Sequence, residues 1–310
     1  MKKTIAVIGQ GFVGGSLTTV MAERGFTVHT FDKADKVAQG GYRPVRTGKI
    51  QDFVAHMEQY ETVAKDFSGV YFVCVPTPMF EDGSADLSIV ESVLTELANG
   101  PIPAQHRIAV VKSTVPPGTT ERWNKSYALT PLRIIFCPEF LTEANALDDM
   151  RNQNRIVLGG PRPHINRVKQ VFQTAFPKVP LIKTSSTTAE MVKYMTNCFL
   201  ATKVAFANEM AQVCEALDRQ GCDIDYDKVV EYAKRDARLG DSHWAVPGPD
   251  GNRGFGGHCF PKDMNALVHL ARGLDVDPKV MAAAWAKNLE VRPDRDWEKM
   301  VGRAVSKKKR

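Results

Sequence analysis

Apolar residues along the first 185 positions occur in two alternating patterns. Short apolar runs rich in β-branched residues predict strands at residues 4–8, 26–31, 70–75, 108–112, 134–137, 156–158 and 181–183. Stretches with helical spacing between them predict helices at residues 15–24, 87–97 and 164–176. This alternation is typical of an α/β fold with a doubly wound parallel sheet. Ligands of such sheets bind beyond the carboxyl ends of the strands.

The pattern changes near residue 185. Residues 188–219 contain no glycine or proline, and a capping box at residues 187–190 predicts the start of a helix of about 30 residues. Apolar residues recur in it every seven positions, at Val192, Phe199, Phe206 and Val213. A small domain alone cannot bury one face of so long a helix. We therefore expect it to join two domains and to form a homodimer contact; the alternative is that it is only the spine of the second domain.

These patterns divide the chain into four predicted segments. A Rossmann-like domain covers residues 1–185, a connecting and dimerisation helix covers 186–220, a smaller all-helical domain covers 221–300, and a basic tail covers 301–310. The tail sequence Lys307-Lys-Lys-Arg310 supplies four of the net +6 charges, so the rest of the chain is nearly neutral. Without aromatic residues among the basic ones, a solvated end is expected and nucleic acid is not an expected partner.

Membrane and metal partners are not expected either. No run of about 18 apolar residues occurs, and Met1 leads directly into the first predicted strand without a hydrophobic signal region. A cytoplasmic protein is therefore expected. The six cysteines have neither the paired spacing of metal ligands nor the density of a disulfide scaffold. A reducing compartment also suits a reactive thiol.

A glycine turn follows the first predicted strand directly, with the sequence Gly9-Gln-Gly11-Phe12-Val13-Gly14. In a dinucleotide-binding turn, Gly9 makes the tight bend and Gly11 lets the backbone approach a pyrophosphate at the helix N-terminus. Gly14 then allows close packing of helix and strand. The alternative is a glycine-rich turn that binds no ligand.

Asp32 directly follows the second predicted strand, at the distance expected for a ribose-binding carboxylate. A carboxylate there accepts hydrogen bonds from the ribose and repels a 2′-phosphate, which favours NAD over NADP. Lys33 and Lys36 lie close by and act against this preference.

Cys259 lies between three glycines and a Pro-Lys-Asp sequence, in the segment at residues 254–263. The glycines let a ligand approach the backbone, and the polar flanks keep the thiol near water. Lys262 and His258 favour the thiolate, and Asp263 is close enough to orient or deprotonate a reacting group. We interpret Cys259 as a nucleophile; an inert cysteine in a surface turn is the alternative.

Lys193 and Asn197 lie four residues apart and hence on one face of the predicted long helix. On a solvated face they have no function, but at an active site they provide a cation and an amide that bind an alkoxide or carbonyl oxygen. An enzyme that oxidises an alcohol to an acid needs such a cation, a thiol to trap the aldehyde and a carboxylate near water. This sequence contains all three together with an NAD fingerprint.

From residue 1 to about 290 the sequence resembles the UDP-glucose/GDP-mannose dehydrogenase family. Besides the glycine turn and the cysteine segment, the matching motifs are Val75-Pro76-Thr77-Pro78, Lys112-Ser113-Thr114-Val-Pro116, Cys137-Pro-Glu139-Phe140-Leu141-Thr-Glu143, and Lys193 with Asn197. The resemblance implies that NAD oxidises the primary alcohol of a nucleotide sugar in two steps, with UDP-glucose the first candidate. Cys259 captures the aldehyde as a thiohemiacetal, which is oxidised to a thioester and hydrolysed.

The resemblance also implies roles for individual residues. Lys193 and Asn197 stabilise the oxyanion, Asp263 is a candidate base, and Thr114, Glu139 and Glu143 manage water and protons. The implied NAD contacts are Gly9, Gly11, Phe12, Val13, Gly14, Asp32, Lys33, Val75, Pro76, Thr77, Ser113, Thr114, Glu143 and Lys262. The implied substrate contacts are Glu139, Phe140, Leu141, Lys193, Asn197, Phe255, Gly256, Gly257 and Cys259.

One departure from the family leaves the substrate open. Family members usually continue into a third domain that holds the nucleotide, whereas this sequence ends at Arg310. Either the substrate is smaller, or another chain completes the pocket, or the protein does not turn over. Three hypotheses follow: a nucleotide-sugar 6-dehydrogenase, a related dehydrogenase that uses another alcohol or removes only two electrons, and a non-catalytic protein that binds NAD or a nucleotide sugar.

Overall fold

The computed structural model describes residues 2–33, 48–100 and 107–308, together with the backbone of residues 45–46. Lys36 and the last two residues of the predicted tail lie outside the described residues. The chain divides into two compact units. The first comprises Met1–Thr77 and Leu87–Lys193, and the second comprises Pro78–Asp86 and Tyr194–Arg310. The predicted boundaries placed residues 78–86 in the first domain, whereas they belong to the second unit.

A single sheet forms the centre of the first unit. Its strands, among the described residues, are β1 (Thr4–Ile8), β2 (Thr27–Phe31), β3 (Val45–Arg46), β4 (Phe67–Val73), β5 (Arg107–Val111), β6 (Leu132–Phe136), β7 (Ile156–Gly159) and β8 (Leu181–Thr184). They are arranged in the order β3-β2-β1-β4-β5-β6-β7-β8. All seven predicted strands are confirmed, and the short strand β3 was not predicted.

Strand β7 differs from the predicted parallel sheet, because it runs antiparallel to β6 through the pair Phe136 and Gly159. The pairs among the other strands are parallel. The connection from β6 to β7 contains a single helix, α5 (Ala146–Arg151). The six residues of this helix rise only about 9 Å, so it does not run the length of a five-residue strand of about 17 Å as the crossover helix of a parallel pair does. The chain therefore enters β7 from the carboxyl edge of the sheet.

Helices cover both faces of this sheet, which confirms the doubly wound α/β class. Besides α5 they are α1 (Phe12–Glu23), α2 (Ile50–Ala64), α3 (Ser88–Ala98), α4 (Thr119–Ser126) and α6 (His164–Ala175). Side chains of β1 alternate between the two cores: Ala6 and Ile8 pack with α2, α3 and α4, whereas Ile5 and Val7 pack with α1, α5 and α6. A strand buried on both faces has a continuous apolar sequence for this reason.

The second unit is helical, as predicted. The long helix α7 (Ser186–Arg219) begins in the first unit and continues into the second, and its 34 residues confirm the predicted helix. The other helices are α8 (Tyr226–Ala233), α9 (Phe260–Gly273) and α10 (Lys279–Val291). Tyr194 and Cys198 of α7 pack with Met264 of α9 and Ala284 of α10 in the core of this unit. Within the described parts of the chain, no helix has the length and apolar character needed to span a bilayer.

The start of α7 corrects the predicted capping box. Ser185, rather than Thr187, caps the helix, because its Oγ accepts a hydrogen bond from the Thr188 N–H at 3.1 Å. Glu190 does not fold back onto the cap. Its buried carboxylate accepts hydrogen bonds from the N–H groups of Gly118 and Thr120, at 2.7 and 2.8 Å. Glu190 thus fixes the start of α4 to α7 within the first unit.

Residues 300–306 pack against residues 78–86 in the second unit instead of forming part of a solvated tail. Met79 donates its N–H to Ala304 O and accepts one from Ser306 N–H, both at 2.8 Å. Ala304 is fully buried, and Ser306 Oγ donates to the Asp86 carboxylate at 2.5 Å. Only the end of the predicted tail therefore has the composition of a solvated segment.

Candidate functional site

The glycine turn after β1 has the geometry that its sequence predicts. Gly9 has a φ of +91°, and a Cβ there would lie 2.5 Å from Cys74 O. A Cβ on Gly14 would lie 1.8 Å from Gly9 O, so helix and strand pack too closely for any other residue. By contrast, no atom lies within 4 Å of a Cβ placed on Gly11. The open space at Gly11, beside the N-terminus of α1, fits a pyrophosphate.

Asp32 lies at the end of β2, next to this turn. Its carboxylate accepts a hydrogen bond from the Gln10 N–H at 2.7 Å, which places a negative charge beside the glycines. Asp32 is half-buried and Lys33 is exposed. Phe12 and Val13 form the first turn of α1 and are half-buried. The residues present therefore fit an adenosine ribose at Asp32 and a pyrophosphate at the turn.

The segments after β4 and β5 are joined side by side at the carboxyl edge of the sheet. Ser113 Oγ donates a hydrogen bond to Val75 O at 2.6 Å, and Thr77 Oγ1 donates to Thr114 O at 2.8 Å. Thr77 is buried and Pro76 is exposed. The structure thus brings together the predicted cofactor residues of two separate motifs.

Glu139 and Lys193 form a buried ion pair in the first unit. Lys193 Nζ lies 3.0 Å from Glu139 Oε1, and the two side chains are 3% and 8% exposed, respectively. The Leu141 N–H donates to the other oxygen at 2.6 Å. Burial acts to raise the pKa of Glu139, but the Lys193 ammonium and the Leu141 N–H outweigh it and lower that pKa. Glu139 is thereby held as a carboxylate.

A pocket opens beside this pair. It is lined by Lys112, Pro138, Glu139, Phe140, Leu141, Asp149, Met150, Asn152, Gln153, Asn154 and Arg155. The Arg155 guanidinium lies 4.0 Å from the centre of the Phe140 ring, and Lys193 Nζ lies 5.6 Å from it. Positive charge therefore surrounds Phe140. Glu143, from the same motif, is exposed.

Lys112 is a pocket residue for which the sequence predicted no role of its own. It is buried, and its Nζ lies 3.2 Å from Pro138 O and 3.5 Å from Cys137 Sγ. The amine is one of the positive charges that lower the Glu139 pKa. A lysine directly after the apolar run at residues 108–111 was the signal available in the sequence.

Asp263 and Asn197 are paired in the second unit. Asn197 Nδ2 donates to Asp263 Oδ2 at 2.6 Å, and Lys262 Nζ donates to Oδ1 at 2.5 Å. Asp263 is 1% exposed. Both carboxylate oxygens therefore already accept a hydrogen bond. Lys262, predicted to favour the Cys259 thiolate and to contact NAD, is paired with Asp263 here.

Cys259 is the N-cap residue of α9 and is half-buried. A helix N-terminus favours the thiolate form of a cysteine. All six cysteines lie within the described residues and are thiols rather than disulfides. Phe255, predicted as a substrate contact, has its side chain in the core of the unit, with its ring 6.0 Å from that of Trp285.

The glycines before Cys259 have two different surroundings. A Cβ on Gly254 would lie 2.4 Å from Asn288 Oδ1, and one on Gly256 would lie 2.3 Å from the Arg292 guanidinium. Gly257 has a φ of +69° and open space around the Cβ position. The predicted reason for the glycines, ligand access, therefore fits Gly257. Gly254 and Gly256 are instead required by contacts with residues of the same unit.

The chain is similar to known nucleotide-sugar dehydrogenases over most of its length. It is 32% identical over 305 residues to the UDP-glucose 6-dehydrogenase of Bacillus subtilis, covering 92% of this chain but 63% of that protein. A UDP-glucose dehydrogenase structure from Pyrobaculum islandicum has a TM-score of 0.73 at 27% identity, covering 94% of this chain and 68% of the other. A GDP-mannose dehydrogenase structure from Pseudomonas aeruginosa has a TM-score of 0.61 at 26% identity, covering 94% and 69%.

Two domain models account for most of the sequence. Residues 3–176 match the NAD binding domain of the UDP-glucose/GDP-mannose dehydrogenase family, and residues 187–290 match its central domain. The first match contains the glycine turn, Asp32 and Glu139; the second contains Lys193 and Cys259. The chain belongs to the UDP-glucose/GDP-mannose dehydrogenase family and contains the NAD-binding and central domains of that family.

Proposed function

We propose that the chain oxidises the primary alcohol of a nucleotide sugar to the carboxylate, with NAD as oxidant and UDP-glucose as the first substrate to test. One observation carries this proposal. Helix α7 holds a lysine bonded to a buried glutamate, and one turn later an asparagine bonded to a buried aspartate. Buried polar pairs cost desolvation energy, and their placement at the predicted site residues favours a chemical role over a packing role.

Cys259 allows the oxidation to continue beyond the aldehyde. NAD, when bound, accepts one hydride in each of two oxidations. The Cys259 sulfur adds to the aldehyde carbon and gives a thiohemiacetal, which still has a C–H bond to lose. Loss of that hydride leaves a thioester on Cys259. Water then attacks the thioester carbon, the C–S bond breaks, and the carboxylate and the Cys259 thiol are released.

The side chains of α7 act on the oxygen of the reacting carbon. Negative charge develops on that oxygen when the alcohol loses its proton and again when sulfur or water adds to the carbonyl. Lys193 and Asn197 donate hydrogen bonds to it and stabilise that charge. Glu139 remains ionised because of Lys193, so with Thr114 it receives the proton of the alcohol or of the attacking water. Asp263 orients Asn197 and Lys262.

The experiment that tests this function counts the NADH formed per sugar consumed. Purified protein is incubated with NAD and, in turn, UDP-glucose, UDP-N-acetyl sugars and GDP-mannose. Two NADH per sugar are expected for the true substrate, with the carboxylate identified by mass spectrometry. One NADH with release of the aldehyde would instead assign a two-electron dehydrogenase. No NADH from any sugar, with binding intact, would assign a non-catalytic protein.

Asp32→Ala tests the cofactor site. Loss of a charge-assisted hydrogen bond to the ribose should weaken NAD binding by about 10- to 100-fold. NADP binding should fall much less, because the repulsion of its 2′-phosphate is relieved at the same time. Calorimetry with both cofactors measures this, and Asp52→Ala, an exposed acid of α2, is the control. Equal losses for NAD and NADP would show that Asp32 does not contact the ribose.

We also propose that the exposed apolar stripe of α7 forms a homodimer contact. Met195, Phe199, Phe206 and Val213 lie along it and are 70%, 65%, 51% and 48% exposed. Phe206→Asp should dissociate the dimer, since burying an unpaired charge costs several kcal/mol. Sedimentation velocity at micromolar concentration measures this, with Val280→Asp, an exposed apolar residue of α10, as the control. A monomeric wild-type protein would exclude the contact.

A further inference from the structure

The loop at residues 254–257, which leads into Cys259, is held by side chains from a more distant part of the sequence. Asn288 of α10 bonds both backbone groups of Phe255. Its Oδ1 accepts from the Phe255 N–H at 2.7 Å, and its Nδ2 donates to Phe255 O at 2.9 Å. Asn208 Oδ1 accepts from the Gly254 N–H at 3.2 Å. Asn288 is fully buried, and both polar atoms of its side chain bond the backbone of this loop.

Arg292 and Asp296 hold the next residues of the loop. Asp296 Oδ2 accepts from the Gly257 N–H at 2.8 Å, and its Oδ1 accepts from Arg292 Nε at 2.7 Å. Arg292 also donates to the Asp250 carboxylate at 2.6 Å and to Arg253 O at 3.4 Å. A single guanidinium, 4% exposed, therefore bonds Asp250 and Arg253 directly and reaches Gly257 through Asp296.

Charge strengthens this network. Burial acts to raise the pKa of Asp296, but the hydrogen bonds from Arg292 and the Gly257 N–H outweigh it, so that pKa is lowered. Burial acts to lower the pKa of Arg292, but the hydrogen bonds to Asp296 and Asp250 outweigh it, so the pKa of Arg292 is raised. Both groups are therefore charged, and charge-assisted hydrogen bonds are stronger than neutral ones.

Two glycines of the loop, Gly254 and Gly256, leave the space that these side chains occupy. A Cβ on Gly254 would collide with Asn288, and a Cβ on Gly256 would lie 2.4 Å from Asp296 Oδ1 as well as against Arg292. A glycine loop without such contacts would lose order, because glycine has the largest conformational freedom of any residue. Here the missing side chains are what let Asn288, Arg292 and Asp296 reach the backbone.

The segment that contains Arg292 and Asp296 is itself fixed by apolar packing within the second unit. Trp297 follows Asp296, is 1% exposed and packs against Trp285, with ring centres 5.2 Å apart. Trp297 also packs with Met79 and Ala304 in a small apolar cluster of the second unit. Arg292 and Asp296 lie beyond residue 290, where the match to the central domain of the family ends. A segment outside that match thus reaches the loop of the proposed nucleophile.

We infer that Asn288, Arg292 and Asp296 are positioning residues, which hold the loop at residues 254–257 so that the Cys259 sulfur stays at the N-terminus of α9. The inference rests on the proposed role of Cys259 as nucleophile. None of the three needs to touch substrate. Their effect is geometric, since a shift of about 1 Å at a reacting atom is enough to lower a rate about 100-fold.

Arg292→Lys is the central test. Lysine keeps the positive charge but cannot bond Asp296, Asp250 and Arg253 O at once. The matched control is Arg295→Lys, the same change in the same segment, at a residue paired with exposed Glu298 and not with the loop. Asp296→Asn is the second variant, because it weakens the bond to the Gly257 N–H without changing size. Hydrogen exchange, alkylation of Cys259 by iodoacetamide at pH 7 and steady-state kinetics are measured for each.

We expect Arg292→Lys and Asp296→Asn to raise the exchange rate of the peptide covering residues 254–260 by about 10-fold, through local opening of the loop. Alkylation of Cys259 should slow by about threefold or more as the sulfur leaves the helix N-terminus. The value of kcat should fall by about 10- to 100-fold with KM for NAD unchanged. Arg295→Lys should match the wild type in all three.

Other results would overturn the inference. A lower melting temperature for Arg292→Lys with unchanged alkylation and kcat would show a purely structural role. Equal effects of Arg295→Lys would show a general loosening of the segment. If the wild type forms no NADH from any sugar but Arg292→Lys still slows Cys259 alkylation, the proposed function fails and the positioning of the cysteine stands.

Discussion

Cys259→Ala should abolish the proposed four-electron oxidation, with a fall in carboxylate formation by a factor of about 10⁴ or more, as expected when a covalent nucleophile is removed. Alanine offers no atom that can add to the aldehyde. Cys259→Ser keeps a nucleophilic oxygen but loses the thiolate leaving group. The serine variant should therefore stall after the first or second hydride, with an adduct on the protein.

Intact-protein mass spectrometry after addition of NAD and sugar detects that adduct, and NADH production is followed in parallel. Cys222→Ala is the matched control, because Cys222 is an exposed thiol of the same unit. It should leave both the rate and the stoichiometry unchanged. If Cys259→Ala still formed two NADH per sugar at the wild-type rate, the cysteine would be a bystander and the mechanism would be abandoned.

Lys193→Ala should have the second largest effect, for two separable reasons. In the proposed mechanism the oxygen of the reacting carbon loses its cation, which should lower kcat by about 10²- to 10³-fold with a smaller effect on substrate binding. The Glu139 carboxylate also stays buried without its main positive partner. Breaking a buried pair in this way lowers the free energy of unfolding by about 3–5 kcal/mol.

The pH dependence and a double variant separate these two effects. In the wild type, burial acts to raise the pKa of Glu139, and Lys193 is the main group that lowers it. Removal of the Lys193 amine should therefore raise the Glu139 pKa and move the acidic limb of the pH–rate profile to higher pH. Lys193→Ala/Glu139→Gln removes both charges and should recover most of the stability but none of the activity. Lys183→Ala, an exposed lysine on β8, is the control. Recovery of activity in the double variant would contradict an oxyanion role for Lys193.

The fold was largely predictable because burial leaves a local trace in the sequence. Strands buried on both faces, such as β1, β5 and β7, are continuous apolar runs, which makes them easy to predict. The absence of glycine and proline indicated α7. The direction of β7 was not predictable in this way. It depends on whether the chain between β6 and β7 can cross back along the sheet, which no local pattern records.

The cap of α7 likewise could not be predicted from the local sequence. The sequence at residues 187–190 has the pattern of a capping box, yet Glu190 bonds the start of α4, some 70 positions earlier in the chain. A carboxylate accepts from whichever N–H groups the fold brings closest. The three-dimensional path of the chain decided between a local and a distant partner of similar chemistry.

In the candidate site, the sequence indicated the residues and the structure showed their contacts. The sequence by itself indicated the glycine turn with Asp32, the lysine at position 193 and the thiol of Cys259, because short motifs contain their chemistry and spacing, and the family resemblance added Glu139. Only the tertiary structure decided the partners of these groups: Lys193 on Glu139, Asn197 on Asp263, and Arg292 with Asp296 on the loop before Cys259. Those contacts join residues 39 to 66 positions apart, and packing, which sequence spacing does not encode, selects them.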